Sequence, residues 1–476
     1  MYSDIMLYID GVWHKGSKDD IPVVNPATEA TIGHVAHCSI TQLDEALSAS
    51  QRGFNTWRHR AAFDRSKIMR RSAELLRSRS ETIAPLLSME QGKPLAEAKA
   101  EVAASADLIE WFAEEGRRNY GRTVPGRRWT VTQLIVREPL GPVAAFTPWN
   151  FPIGLTTYKI GAALSSGCSI IVKGPEEAPA GTAELVRAFA DAGVDPGALN
   201  LVFGTPAEIS EYLIASPAIR KVSFTGSTPV GRRIGELAGR FLKPATLELG
   251  GHAPVLLFPD ADVDSAINIL ASAKFRNAGQ ICAAPSRFIV HESMFEAFTS
   301  KLVERARAIK VGDGMDPDTT MGPIASLRRV NALESAINDA VQHGADVRTG
   351  GRRIGNRGYF LEPTVLTDVA VEARLMNEEP FGPIAMISPF QTTEDALAEA
   401  NRLPYGLASY AFTKSIATVR ELQDRLEAGM ISINHYGLAL PELPFGGVKA
   451  SCYGSDGGKE AIDGYVHNKL ISFDAA

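Results

Sequence analysis

Cysteine is scarce in this chain: four residues in 476, Cys38, Cys168, Cys282 and Cys452, widely spaced and without a C-x-x-C pair. That excludes a disulfide framework and a cysteine-based zinc site, so no metal is expected and a reducing compartment is the natural setting. Long apolar runs are lacking too; none reaches the ~18 residues a membrane-spanning helix needs. The opening MYSDIMLYIDGVWHKG has no basic segment followed by an apolar core, as a secretory leader would. The expectation is a cytoplasmic protein with no membrane partner. Basic blocks are missing as well, and a net charge of −6 argues against a nucleic-acid partner. There is no internal repeat and no low-complexity segment.

What is present is the composition of a soluble globular enzyme, with 45% hydrophobic and 22% charged residues. A chain of this length exceeds a single core and implies two or three domains. LYIDGVW reads as a hairpin turning at Asp10-Gly11. Amphipathic helical stretches follow over 41–60, 65–91 and 94–118. WTVTQLIVREPLGPVAAF reads as strands interrupted by Pro139 and Pro142. From VAAFTP onward, short β-branched strands alternate with helices four or five times, which predicts a parallel sheet covered by helices on both faces. Ligands of such sheets bind at the carboxyl ends of the strands. A second alternating region runs over 251–446. The tail ends in a strand-like GYVHNKLISF, which can pair with the earlier hairpin or with another subunit.

The chemistry-bearing residues sit where these strands end. Cys282 lies in KFRNAGQICAAPSR, after Gly279 and before Ala283 and Ala284. A thiol among small residues can be reached by a flat electrophile, as a nucleophile must be; a buried structural cysteine fits the local pattern equally. In FTGSTPVG a strand runs into Gly226 and Ser227 and then a helix, whose first amides suit a phosphate oxygen. It is neither a Walker A loop nor G-x-G-x-x-G, and an ordinary strand–helix turn would look the same. Lys173 ends SIIVKG on a neighbouring unit. Glu248, in TLELGGHAP, precedes two glycines and can stand beside a cleft, where desolvation would raise its pKa toward that of a general base. Glu378 and Glu379 head EEPFGP. Asn150, in TPWNFP beside Trp149, is a neutral amide suited to an oxyanion, or to an Asx turn.

Seven of these segments, FTPWNFP, IVKGPEE, FTGSTPVG, LELGG, GQIC, EEPFGP and PFGGVKAS, occur in the order and approximate spacing of the NAD(P)-dependent aldehyde dehydrogenase superfamily, across essentially the whole chain. EQGKPLAEA and EWFAEEGRR resemble its succinate-semialdehyde dehydrogenase branch. The resemblance implies an α/β fold: a Rossmann-type parallel-sheet cofactor domain (1–119 and 140–250), an α/β catalytic domain (251–450) and a small β oligomerisation arm (120–139 and 451–476), assembled as a homodimer or homotetramer. It implies that Cys282 attacks the aldehyde, that Asn150 and the Cys282 backbone N–H hold the oxyanion, and that Glu248 activates the water that hydrolyses the thioester. Trp149, Lys173, Glu176, Gly226, Ser227, Glu379 and Phe381 would bind the cofactor. An acidic Glu176 would accept ribose hydroxyls and repel a 2′-phosphate, so NAD is favoured over NADP.

For the substrate, Arg276 matches an arginine that binds the carboxylate in succinate-semialdehyde-type members, and Ser451 matches a serine that assists it. A second arginine of that branch is replaced here by Tyr158. The expected substrate is a small anionic aldehyde, either a short carboxylated semialdehyde or an anionic aromatic aldehyde. The tail departs from the family pattern, with Cys452 where glycine is common and Asp456 where glutamate is common.

Overall fold

A computed structural model describes residues 2–474 of the chain. Two mainly parallel sheets organise it. The first holds, in spatial order, Val12–His14, Leu7–Ile9, Leu199–Val202, Ile170–Lys173, Val143–Phe146, Lys221–Thr225, Ala245–Glu248 and Cys452–Tyr453. Its five central strands are parallel, and antiparallel pairs close both edges. Strands such as Val143–Phe146 and Ile170–Lys173 are buried along their whole length, as unbroken apolar runs between two helical layers must be. From Val143–Phe146 the chain builds first to one side, then to the other, through Lys221–Thr225. A crevice at the carboxyl ends of these two strands is the consequence of that reversal.

The second sheet places Asp346–Thr349, Thr364–Thr367, Ile384–Phe390, Pro285–His291, Ala253–Leu257, Ala408–Phe412 and Met430–Ile433 side by side, parallel except at the first edge. A small third sheet joins Arg122–Pro125, Val131–Pro139 and Val466–Asp474. The last strand therefore pairs within its own chain, over nine residue positions. Its far edge leaves Leu470, Ile471 and Phe473 exposed.

The opening hairpin turns at Asp10 and Gly11, both with positive φ (51° and 84°), which matches the twist of its strands. The amphipathic stretch over 65–91 is two helices, Ala62–Ser78 and Ser80–Gln91, meeting at the non-helical Arg79 (φ −97°, ψ 6°). The periodicity survives that break because both helices bury one face on the same core. Among the described residues no helix is long and apolar enough to cross a membrane.

Candidate active site

The loop that carries Cys282 is made by a backbone reversal. After the helix Val263–Phe275, residues Asn277, Ala278 and Gly279 take φ of 50°, 51° and 69°. Only a glycine fits at 279 on space as well, because a Cβ there would lie 2.1 Å from the Gly382 carbonyl oxygen. Two non-glycine residues in the left-handed region store strain, which the surroundings must hold. They do so by hydrogen bonds. Asn277 Nδ2 donates to Asn150 O (3.0 Å), Gln91 Nε2 donates to Asn277 Oδ1 (2.9 Å), and Asn277 N donates to Glu97 Oε2 (2.9 Å). Lys93 Nζ also reaches Asn150 O (2.8 Å) and pairs with Glu101 at 2.5 Å, with both side chains buried. Glu101 Oε1 in turn accepts the N–H groups of Ile153 and Gly154 at the start of the helix Gly154–Ser166. Asn150 is thereby fixed beside the loop, one amide proton donated to Gln280 O at 3.0 Å. A carboxamide nitrogen carries a second proton, which remains for an oxyanion. Cys282 is half-buried here. Burial, then the Glu379 and Glu248 carboxylates, push its thiol up to about 12, so at neutral pH it is protonated until a base or a substrate changes that.

Glu248 ends the strand Ala245–Glu248, and the two following glycines are required by what crowds them. A Cβ on Gly250 would sit 2.5 Å from Glu379 Oε2, and one on Gly251 would sit 2.6 Å from the Cys282 carbonyl oxygen. Glycine at both positions lets the end of the first sheet touch the Cys282 loop of the second. Glu248 is buried, with Oε1 accepting from Cys452 Sγ at 2.9 Å and Oε2 without a partner among the described residues. Burial and then the neighbouring Asp456 raise its pKa well above the usual carboxylate range, against the hydrogen bond from Cys452 and the charge of Lys159. Lys159 Nζ and Asp456 Oδ2 form a buried pair at 2.8 Å.

The crevice of the first sheet is a cleft of about 770 Å³, lined among others by Trp149, Lys173, Glu176, Gly226 and Ser227. Ser227 is the N-cap of the helix Thr228–Arg240 and its hydroxyl makes no capping bond, so that hydroxyl and the first-turn amides face a ligand unspent. Lys173 Nζ binds Glu176 Oε2 at 2.5 Å, and Glu176 Oε1 accepts from Gly204 N at 2.9 Å, which aligns the carboxylate at the cleft. From the second sheet's side, Glu379 Oε1 accepts from Gly251 N (3.1 Å), and Phe381 meets Trp149 edge-on at 5.7 Å. Burial raises Glu379 to about 7. The donor set, a helix N-terminus beside carboxylates in a cleft of this size, fits a dinucleotide.

On the other side of Cys282 the structure collects aromatic rings. Tyr158 is buried against Phe445 (centroids 6.0 Å apart) and lies near enough to Cys282 and Glu248 for their charges to raise its pKa, after burial. Arg276 is exposed, its guanidinium 5.5 Å from the centre of the Phe151 ring. Tyr436 stacks on Tyr410 at 5.2 Å; burial raises its pKa, the Arg276 charge opposes and Cys282 adds to the rise, so its hydroxyl lies near both. Neither Tyr436 nor Lys93 stands out in the sequence; the one signal for Tyr436 is an aromatic just past the end of the strand Met430–Ile433. Ser451 is not brought to this path. Its hydroxyl is fully buried, donating to Gly250 O (2.8 Å) and accepting from Gly406 N (3.0 Å), so it braces backbone where substrate contact was expected.

Comparison with known proteins agrees with this geometry. The model of the aldehyde dehydrogenase family matches residues 13–471. A 4-(hydroxymethyl)benzenesulfonate dehydrogenase of Comamonas testosteroni is 45% identical over 468 residues, covering 98% of each chain. The NADP(+) succinate-semialdehyde dehydrogenase of Escherichia coli is 38% identical, covering 97% of this chain and 96% of its own. The crystal structure of succinate-semialdehyde dehydrogenase from Burkholderia pseudomallei superposes with a TM-score of 0.97 at 39% identity, over 99% of this chain and 98% of that one. With a cysteine loop, a buried glutamate and a dinucleotide cleft converging between two sheets, and matches of this extent, the chain belongs to the aldehyde dehydrogenase family.

Proposed function

We propose that this enzyme oxidises small anionic aldehydes with NAD. Cys282 Sγ forms a bond to the aldehyde carbon, its proton passing to solvent water, while the carbonyl oxygen becomes an oxyanion held by Asn150 Nδ2 and the Cys282 N–H. Bound NAD supplies the hydride acceptor. With the hydride gone, the carbon is a thioester on Cys282. Glu248 Oε2 then takes a proton from water as the water oxygen attacks, the carbon–sulfur bond breaks, and the sulfur leaves to be reprotonated. Glu176 supports NAD over NADP: its carboxylate can accept two ribose hydroxyls and repels a phosphate. Higher kcat/KM with NAD is the expected result, and equal or better efficiency with NADP overturns the preference.

The anion is read at Arg276, whose planar fork suits a carboxylate or a sulfonate. Within this class a short carboxylated semialdehyde fits the branch the sequence resembles. The observation that favours an anionic benzaldehyde is the aromatic setting: Tyr158 and Tyr436 both lie near enough to Cys282 to feel its charge, Phe445 packs on Tyr158, and Phe151 lies under Arg276. The relative named for a benzenesulfonate supports it too. A panel of kcat/KM values for succinic semialdehyde, 4-carboxybenzaldehyde, 4-sulfobenzaldehyde and benzaldehyde tests both parts. Benzaldehyde matching its charged analogues sinks the anion reading, and succinic semialdehyde ahead of the benzaldehydes returns the substrate to the short-chain class. Assembly as a homodimer or homotetramer is supported by the place of the last strand, Val466–Asp474, at the outside of its three-stranded sheet, where another strand can add; sedimentation measures it.

A further inference from the structure

The strand Cys452–Tyr453 runs antiparallel to Ala245–Glu248, with Cys452 directly opposite Glu248. Residues opposed in this way project from the same face of a sheet with Cβ atoms roughly 5 Å apart, so the backbone itself aims the thiol at the carboxylate. The register is held by Leu249 N donating to Ser451 O at 2.8 Å. Cys452 Sγ lies 2.9 Å from Glu248 Oε1 and also 2.9 Å from the Gly454 carbonyl oxygen. A thiol has one proton and a sulfur that accepts. It can donate to Oε1 when the carboxylate is ionised. When Glu248 takes a proton on Oε2, Oε1 remains a carbonyl oxygen and goes on accepting from the thiol, more weakly than the ionised carboxylate does. A general base must pass between those states in every turnover, and Glu248 Oε2, unpartnered among the described residues, is the oxygen left to do so.

We infer that Cys452 is the positioning residue of the general base: its thiol anchors Glu248 Oε1 in both protonation states and leaves Oε2 free to exchange a proton with water. The inference rests on Glu248 acting as that base. Other groups facing the carboxylate are Asp456, paired with Lys159 from the helix Gly154–Ser166, and Tyr158 and Cys282 across the site. Asp456 also offers the carboxylate its backbone N–H, which is shared with Phe445 O at 2.8 Å, whereas Cys452 gives Oε1 a side-chain donor at 2.9 Å.

The test is the lifetime of the acyl-enzyme formed on Cys282 from 4-nitrophenyl acetate, followed by intact mass across a pH range in the full chain without cofactor. Glu248→Gln comes first: a persistent acyl-enzyme is expected, and wild-type hydrolysis would remove the base assignment itself, whatever Cys452 does. Against that reference, Cys452→Ala is expected to lengthen the lifetime about tenfold and to move the midpoint of hydrolysis up by roughly one pH unit, since a donor to the ionised form is lost. Cys452→Ser, which keeps a donor and an acceptor, is expected to restore both. A Cys452→Ala enzyme with an unchanged or shortened lifetime overturns the inference, and so does a Cys452→Ser enzyme that behaves like Cys452→Ala.

Discussion

Two buried polar clusters flank Cys282, and they are built to opposite standards. Around Asn150 the polar groups of Lys93, Glu101, Asn277, Gln91 and Gln280 are tied to one another or to backbone. Around Glu248, by contrast, its own Oε2, Oδ1 of Asp456, and the hydroxyl of Thr225 on the adjacent strand have no partner among the described residues. A satisfied network is rigid, and an unsatisfied buried atom is costly. The contrast follows from the work each side does. In the proposed mechanism Asn150 and the loop hold still while an oxyanion forms between them, whereas Glu248 takes and releases a proton and admits a water. The cost of the second cluster is borne where motion is needed.

The largest effect expected from breaking this division lies between the clusters. Cys282→Ser should abolish aldehyde oxidation while NAD still binds, because the cleft of the first sheet is complete without the thiol; fluorescence titration measures the binding. Turnover at the wild-type rate would refute the nucleophile. Next is Glu248→Gln, expected to lower steady turnover by a factor on the order of 10² to 10⁴, the usual worth of a general base, while a single turnover of NADH is still released. The same cluster sets the pH dependence. In the proposed mechanism Glu248 works ionised, and burial raises its pKa, so hydrolysis-limited turnover should climb as pH rises through that raised value, well above the ordinary carboxylate range, and be lost as pH falls through it. A flat profile over that range would show the base side to be as static as the Asn150 side.

Lys93→Met sharpens the comparison from the rigid side. It leaves Glu101 buried without its cation, which costs about 3–5 kcal/mol when one partner of a buried pair is removed. The loss should appear as a lower Tm, with no shift in the pH profile of the enzyme that remains folded. A shifted profile would mean that the two clusters are coupled.

How much of this was legible depended on range. Strand ends carrying Glu248, Ser227 and Lys173 could be read because each motif is local, a short apolar run stopped by glycine or a polar residue. The helix pattern over 65–91 hid a break at Arg79, since two helices on one core keep one period. Long-range pairings were out of reach. Lys93 meets Asn150 across 57 positions, and Cys452 meets Glu248 across 204; the odd cysteine in the tail was visible, but its partner is set by strand register. Ser451 shows the same limit in reverse, because its hydroxyl is spent on Gly250 and Gly406, which no local pattern places beside it.

The smallest effect belongs to Arg276, which stands outside both clusters. Its guanidinium is exposed and rests on the Phe151 ring, so an ion pair with a substrate anion is screened by water and worth less than a buried one. Arg276→Ala should raise KM for an anionic aldehyde about tenfold, equivalent to about 1.4 kcal/mol, and leave kcat near its wild-type value. Benzaldehyde should be unaffected. Arg276→Lys keeps the charge but loses the fork, so it should recover part of the affinity for either anion and less of any distinction between carboxylate and sulfonate. A fall in kcat with KM unchanged would instead make Arg276 part of the machinery that holds the nucleophile loop, through Glu97, whose charge it offsets and whose carboxylate receives the Asn277 N–H.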